Sequence, residues 1–261
     1  MSRFTGRWTN RLKIAVLLGL ALYFAYIYLS GKWAYYIDPR FQWLSVVAVL
    51  LLTLLALSFL GGNAEAHDHD HEHHDHDHPH DHAHAGHGHS HGSVWPVLVV
   101  AIPLVLGLAI PAKPLGANAI KTRGIDTDFN SITLSEASSS SLSIIPGERN
   151  VLDWNRAIAS SPDSSEVIGQ EADVVGFVYR DSRFGENQFM VARFTLTCCV
   201  ADALAIGLVV QNSEAVNFST DAWVKVKGSF QEVEFDGVLI PVIFAEEIMP
   251  TDQPEQPYLY Q

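Results

Sequence analysis

The chain has 261 residues, a net charge of -13 and 48% hydrophobic residues. Its acidity excludes a broad nucleic-acid-binding surface, because phosphates need a stripe of positive charge and acids outnumber bases after Glu171. The two cysteines, Cys198 and Cys199, are sequence neighbours, which excludes a disulfide framework.

Three apolar runs near the amino terminus predict membrane-spanning helices at about 12–30, 42–60 and 94–110. Each run has roughly the 17 to 20 residues needed to cross the hydrocarbon core, with no charged residue in its interior. The first run is too long for the apolar part of a signal peptide and lacks a clear cleavage site. The third run could instead be a buried core helix, although in a membrane Pro103 would kink it without abolishing it. We therefore expect a multi-pass cell-membrane protein surrounded by lipid.

The distribution of basic residues predicts the orientation of these spans. Four basic residues lie at the start of the chain: Arg3, Arg7, Arg11 and Lys13. The positive-inside rule then places the amino terminus and the second interhelical loop in the cytoplasm, and the carboxy-terminal domain outside. Basic residues after the third run favour the opposite orientation: Lys113, Lys121 and Arg123.

The segment between the second and third runs contains all 13 histidines of the chain. These are His67, His69, His71, His73, His74, His76, His78, His80, His82, His84, His87, His89 and His91. Because residues 65–92 contain no Val, Ile, Leu, Met, Phe, Tyr or Trp that could form a core, we expect this loop to be disordered. Neutral imidazole is a preferred ligand of zinc, copper and nickel, so the loop is predicted to bind zinc or another divalent transition metal collectively. A plain spacer, or a pH sensor titrating near the imidazole pKa of about 6.5, is the alternative.

The remainder of the chain predicts a linker over 111–145 and a small domain over 146–261. A short amphipathic helix begins near Asn150, and the apolar period then changes to two across five runs rich in valine, isoleucine and phenylalanine. The fold class is therefore an α-helical membrane part followed by a small all-β, OB-like barrel, with an SH3-like barrel as the alternative. Gly176 and Gly228 mark expected bends, and Trp154 and Trp223 are expected to anchor the core.

Cys198 and Cys199 follow the second predicted strand in the segment FTLTCCVADALAIG. Adjacent strand residues face opposite sides, so one thiol is expected to point inward and the other outward. With Asp202 the pair could form a thiolate site for a metal ion or for redox chemistry. Their spacing alone favours a packing role, in which one cysteine is a small buried apolar residue.

Three ordered segments carry a resemblance to a known family: RFTLTCCVADALAIGLVV, AWVKVKGSF and IFAEEIMPTDQPEQPYLY. They resemble the carboxy-terminal domain of the YcgQ-like family of bacterial permease subunits. The family's double cysteine falls on Cys198 and Cys199, its acidic position on Asp202 and its tryptophan on Trp223. The resemblance implies an accessory partner of a separate multi-span permease, and the zinc-responsive control of such genes in some bacteria implies metal homeostasis.

A catalytic role is disfavoured by the placement of the histidines. With every histidine in one loop, the carboxy-terminal domain cannot contain a Ser/His/Asp or Cys/His arrangement. The chain also lacks a glycine-rich phosphate loop, HExxH and paired CxxC motifs. We therefore predict a non-enzymatic, membrane-anchored accessory subunit of a permease, acting in zinc or other divalent metal homeostasis. The alternative is a membrane-tethered barrel that binds a partner and uses the histidine loop only as a spacer or pH sensor.

Overall fold

The computed structural model describes residues 2–61, 95–123, 146–160, 165–235 and 237–260. The chain divides into two compact units. The helical unit consists of Met1–Ser30 and Trp43–Ala112, and the barrel unit consists of Gly31–Gln42 and Lys113–Gln261. The histidine-rich loop lies outside the described residues, so its disorder and its metal binding stay predictions.

The helical unit contains α1 (Ser2–Leu29), α2 (Trp43–Gly61) and α3 (Trp95–Ala109). Within the described residues, the stretches Trp8–Leu29 and Pro39–Leu60 are long and apolar enough to cross a membrane. These two stretches indicate membrane association. The third helix has 15 residues, so at 1.5 Å per residue it is about 22 Å long, shorter than the hydrocarbon core of about 30 Å.

Glycines bring α1 and α3 close together inside the helical unit. A Cβ atom on Gly19 would lie 2.8 Å from the Leu104 side chain, and one on Gly107 would lie 2.5 Å from the Tyr23 ring. Small residues at such crossings let helix backbones approach in a bilayer, where lipid removes the hydrophobic drive for helix association. This packing is typical of membrane helices.

In its described part the barrel unit is built from two α-helices and six strands, with short 3₁₀ turns between them. The helices are α4 (Ala117–Arg123) and α5 (Val151–Ser160). The strands are β1 (Glu171–Tyr179), β2 (Gln188–Leu196), β3 (Leu204–Gln211), β4 (Trp223–Phe235), β5 (Val238–Pro250) and β6 (Tyr258–Tyr260).

The strand order closes these strands into a barrel. Strands β1, β4, β5, β3 and β2 follow one another, and β1 pairs again with β2 to complete the circle. The β3–β5 pair is parallel, whereas the other pairs within the circle are antiparallel. Strand β6 is not part of this circle. It pairs in parallel with the end of β2, where Leu196 lies opposite Tyr260. This is the five-stranded OB-like barrel, so the predicted fold class is confirmed.

Helix α5 packs against the barrel through Trp154, which is fully buried. Its ring centroid lies 4.8 Å from that of Phe230, and the Arg149 guanidinium lies 4.8 Å from the indole centroid. Asn150 starts the helix by accepting hydrogen bonds from the amides of Leu152 and Asp153 through its side chain. The cap and the buried indole together fix this helix in the core, where the sequence placed Trp154.

The segment predicted as a linker over 111–145 contains α4, which corrects that prediction. Ala117 and Ile120 of this helix are buried against the barrel core that includes Phe177. The amide of Ala117 donates to Asp221 Oδ1 and so ties the start of the helix to the β3–β4 loop. Two apolar positions in so short a helix give too weak a period to be recognised in the sequence.

Gly228 occupies a β-bulge in the β4–β5 pair, as the sequence predicted, and it leaves no room for a side chain. A Cβ atom there would collide with the carbonyl oxygen of Phe244 and lie 2.7 Å from the Ala245 Cα. We expect Gly228→Ala to lower the free energy of unfolding by about 1–3 kcal/mol, because backbone must shift. Gly147→Ala is the control, since no atom lies within 4 Å of its Cβ position. Equal denaturation midpoints for the two variants would contradict this packing.

Candidate metal site

The β2–β3 connection carries Cys198, Cys199 and Asp202, and the structure brings their side chains together. One donor atom from each residue lies within 4.8 Å of the others. Cys198 is exposed and Cys199 is half-buried. The expected inward and outward arrangement of the thiols is wrong, because both residues lie past the end of β2, where strand alternation no longer applies.

Asp202 organises this turn from within. It ends the 3₁₀ turn Val200–Asp202, and its carboxylate accepts the amide hydrogens of Thr197, Cys198 and Cys199 at 3.1, 2.8 and 3.4 Å. Burial opposes ionisation, but the hydrogen bond from the Cys198 thiol, together with those from the three amides, outweighs it and holds the pKa of Asp202 below its usual value. The carboxylate is therefore ionised at neutral pH and oriented toward the two thiols.

The spacing of the two sulfurs suits a tetrahedral metal ion. Cys198 Sγ and Cys199 Sγ are 3.8 Å apart. Two thiolates bound to one tetrahedral zinc at Zn–S distances of about 2.3 Å are separated by about 3.8 Å. The sulfurs therefore already have the separation that zinc requires, and Asp202 adds an oxygen donor. Three protein donors leave a fourth coordination position for water or for a ligand of another molecule.

Without a metal ion the Cys198 thiol is held in its protonated form. It donates to Asp202 Oδ2 at 2.8 Å, and this contact, with smaller contributions from the neighbouring Cys199, raises the pKa of Cys198 to about 11. A redox or nucleophilic cysteine requires a lowered pKa, so the arrangement disfavours thiol catalysis at this position. A bound metal cation would instead favour the thiolate form of Cys198, because it displaces the proton.

This raised pKa predicts slow alkylation of an exposed thiol. In a Cys199→Ser background, Asp202→Asn removes the anionic acceptor, lowers the pKa of Cys198 and increases the thiolate fraction at pH 8. We expect iodoacetamide to react at least severalfold faster with Asp202→Asn than with its parent. Asp181→Asn, which removes a carboxylate elsewhere in the barrel unit, should leave the rate unchanged. Equal rates for Asp202→Asn and its parent would contradict the assigned contact.

The segment Gly31–Gln42, which joins α1 to α2 and belongs to the barrel unit, lies against this turn. Ile37 pairs with Cys199 as an antiparallel bridge. The amide of Asp38 donates to Cys198 O at 3.1 Å, and the amide of Val200 donates to Tyr36 O at 2.8 Å. Sequence reasoning missed this segment, because an interhelical loop gives no pattern that predicts pairing with a residue so distant in the chain.

The barrel unit also contains an open groove of about 680 Å³. Aromatic side chains of Phe177 and Trp223 form part of its lining, together with Lys113, Asp221 and Gln253. Trp223 is half-buried and carries the Arg193 guanidinium 5.2 Å from its ring centroid. It therefore contributes to the core and to the groove wall, whereas the sequence predicted only the core role.

Comparison with known proteins identifies the family. Residues 12–126 match the DUF1980 N-terminal domain and residues 126–261 match the DUF1980 C-terminal domain. UPF0703 protein YcgQ of Bacillus subtilis (strain 168) is 25% identical over 283 positions, covering 95% of this chain and 99% of the relative. A Streptococcus mutans serotype c protein is 22% identical over 273 positions, covering 90% and 94%, and bears the name "Putative two-component membrane permease complex subunit".

These matches confirm the resemblance that the CC-x-ADA segment and the closing PYLY segment carry. They extend it to the amino-terminal part of the chain, which residue patterns alone had described only as apolar runs. The chain belongs to the DUF1980 family, as a relative of YcgQ along nearly its whole length.

Proposed function

We propose that this protein is a membrane-anchored accessory subunit of a permease complex that handles zinc or a similar divalent metal. The observation that carries the proposal is the donor cluster of Cys198, Cys199 and Asp202, with its sulfurs 3.8 Å apart. An exposed site with three protein donors can accept an ion and release it, since a fourth position stays open to a receiving molecule. Such a site suits transfer better than permanent structural binding.

The histidine-rich loop supplies the second part of the proposal. Its 13 imidazoles alternate with acids, which keep the loop negative and add oxygen donors. Many equivalent ligand sets bind an ion weakly and interchangeably, so the loop would raise the local metal concentration near the membrane. The loop would thus collect metal ions, while the cysteine pair would hold one ion in a defined geometry.

A partner subunit must supply the path by which the ion crosses the membrane. The apolar interiors of the three predicted spans contain no acidic, basic or histidine side chain that could line an ion path. The name of the Streptococcus mutans relative supports a second membrane subunit, and a non-catalytic role agrees with it. Tagged full-length protein should therefore copurify with a separate multi-span protein in its native host. Recovery of this chain alone from membranes kept in mild detergent would contradict the subunit role.

We propose a three-span topology, supported by the segment that lies against the cysteine turn. Gly31–Gln42 joins α1 to α2 and belongs to the barrel unit. If α1 and α2 both cross the bilayer, the segment between them lies on one side of the membrane and α2 ends on the other. The chain can then reach the rest of the barrel unit only if α3 crosses as well. In this topology the short α3 is the third span, and its flanking residues or a locally thinner bilayer would make up its length. The histidine-rich loop and the barrel unit then face opposite sides of the membrane.

Single cysteines test this topology in a Cys198→Ser/Cys199→Ser background. A membrane-impermeant maleimide added to intact cells should label Glu255→Cys in the barrel unit and leave Ser93→Cys, next to the histidine-rich loop, unlabelled until the cells are permeabilised. Labelling of Ser93→Cys alone would indicate three spans in the opposite orientation. Labelling of both positions from outside would contradict the three-span topology.

The groove at Trp223 favours a second candidate, a tethered barrel that binds a protein or small-molecule partner. Its volume and its aromatic wall are typical of ligand sites. Deletion of residues 67–91 distinguishes the two functions. Metal homeostasis predicts a lower cellular zinc content and altered zinc tolerance in the deletion strain. Unchanged values for both would reduce the loop to a spacer and favour the binding module.

A further inference from the structure

We propose that the segment joining α1 to α2 is part of the metal site, and that Asp38 and Arg40 act as positioning residues for the cysteine turn. The inference rests on the proposed metal role of Cys198, Cys199 and Asp202. It adds a second element to the site, from a part of the chain more than 150 residues away in sequence. Neither Asp38 nor Arg40 would touch the ion.

The backbone of this segment holds the turn on both sides of Cys199. On one side, Asp38 N–H donates to Cys198 O at 3.1 Å, and on the other, Val200 N–H donates to Tyr36 O at 2.8 Å. The pairing of Ile37 with Cys199 lies between these hydrogen bonds. The two cysteines are thus fixed at the level of their backbone, as strand residues are fixed by a neighbouring strand.

The side chain of Asp38 in turn fixes the segment. It is 1% exposed, and its Oδ1 accepts the Arg40 amide at 2.7 Å, while both carboxylate oxygens accept hydrogen bonds from the Arg40 guanidinium. The same guanidinium donates to Thr197 O at 3.3 Å. Arg40 therefore bridges the buried carboxylate to the residue that precedes the cysteine pair.

Metal binding gives these contacts their function. The Cys198 Sγ and Asp202 Oδ2 atoms are 2.8 Å apart, whereas a sulfur and an oxygen ligand on one tetrahedral zinc are about 3.5 Å apart. Asp202 must therefore move relative to the thiol when an ion enters, and its own hydrogen bonds to the turn weaken. The hydrogen bonds from the α1–α2 segment do not involve Asp202, so they can keep the sulfur spacing during that change.

The chain contains a matched control for the Asp38–Arg40 pair. Asp181 and Arg183 repeat the same geometry, with the Arg183 amide on Asp181 Oδ1 at 3.0 Å and the guanidinium on both oxygens. This pair belongs to the β1–β2 connection, where the Arg183 guanidinium also lies 6.0 Å from the centroid of the Phe235 ring. Substitutions in this pair therefore measure how the loss of such an ion pair affects the barrel unit at a position other than the metal site.

The experiment measures cobalt and zinc binding to full-length protein in detergent, in a background where all 13 loop histidines are glutamine. The thiolate-to-cobalt charge-transfer band reports only ions bound by the cysteine pair, and zinc affinity follows from its displacement. We expect Asp38→Asn and Arg40→Gln each to weaken zinc binding about 10- to 100-fold, the usual effect of losing an outer-shell partner. Asp181→Asn and Arg183→Gln should leave the affinity unchanged.

A structural role alone would not alter the spectrum of the bound ion. The Arg40 side chain is 60% exposed in the parent, so we expect the Arg40→Gln variant to fold normally. Its charge-transfer band should be weaker and should lie at a different wavelength, because the bound cobalt departs from tetrahedral geometry. Parental affinity and spectrum in Arg40→Gln would overturn the positioning role, even if Asp38→Asn fails to fold. Absence of the band in the parent itself would instead overturn the metal role of Cys198 and Cys199.

Discussion

Replacing both Cys198 and Cys199 with serine is expected to weaken zinc binding at the barrel unit by more than about 100-fold, because loss of outer-shell partners alone costs 10- to 100-fold. Serine keeps the size and the polarity of the side chain but does not supply a thiolate. Competition with a chromogenic chelator, in the background with glutamine at the loop histidines, measures the change. The serine variant should also lose the thiolate-to-cobalt band.

The control for this prediction is the integrity of the barrel. Cys198 is exposed and Cys199 is half-buried, so serine at these positions should leave the far-ultraviolet circular dichroism spectrum and the denaturation midpoint unchanged. Full zinc affinity in a folded double-serine variant would return both cysteines to a packing role. The metal proposal would then rest on the histidine-rich loop alone.

Replacing Trp154 with alanine is expected to cause the largest loss of stability in the barrel unit. The indole is fully buried in contact with Phe230 and Arg149, and its removal leaves a cavity that the barrel cannot fill. We expect the free energy of unfolding to fall by about 3–5 kcal/mol, measured by chemical denaturation followed by circular dichroism.

Trp154→Phe is the matched control for this change. Among the described residues, the buried indole nitrogen of Trp154 has no hydrogen-bond acceptor. Phenylalanine removes that unsatisfied donor and keeps most of the apolar contact, so it should cost far less than alanine. A phenylalanine variant as unstable as the alanine variant would contradict this assignment of the core.

The architecture could be predicted from the sequence wherever a repeated pattern was present. The apolar runs predicted α1 and α2, and the runs with a period of two predicted the barrel strands. The glycine at position 228 predicted the bulge. The short strand β6 and helix α4 were missed, because three to seven residues are too few to establish a period. Pairing between strands, rather than strand propensity, determines where such short elements form.

The candidate site was predicted only in part. The types and spacing of Cys198, Cys199 and Asp202 pointed to a thiolate cluster, but strand alternation wrongly separated the thiols. The turn geometry, set by the hydrogen bonds that Asp202 accepts, brings the sulfurs together instead. The contribution of Asp38 and Arg40 could not be predicted, because it depends on a long-range backbone pairing that leaves no local signal.

The most direct test of the metal role is the number of zinc ions that the intact protein binds in detergent, measured by equilibrium dialysis. The parent should bind several ions, and a variant with glutamine at all 13 loop histidines should retain a single tight ion at the cysteine pair. Further replacement of Cys198 and Cys199 with serine should remove that last ion. Equal zinc content in all three proteins would contradict the proposed role in metal handling.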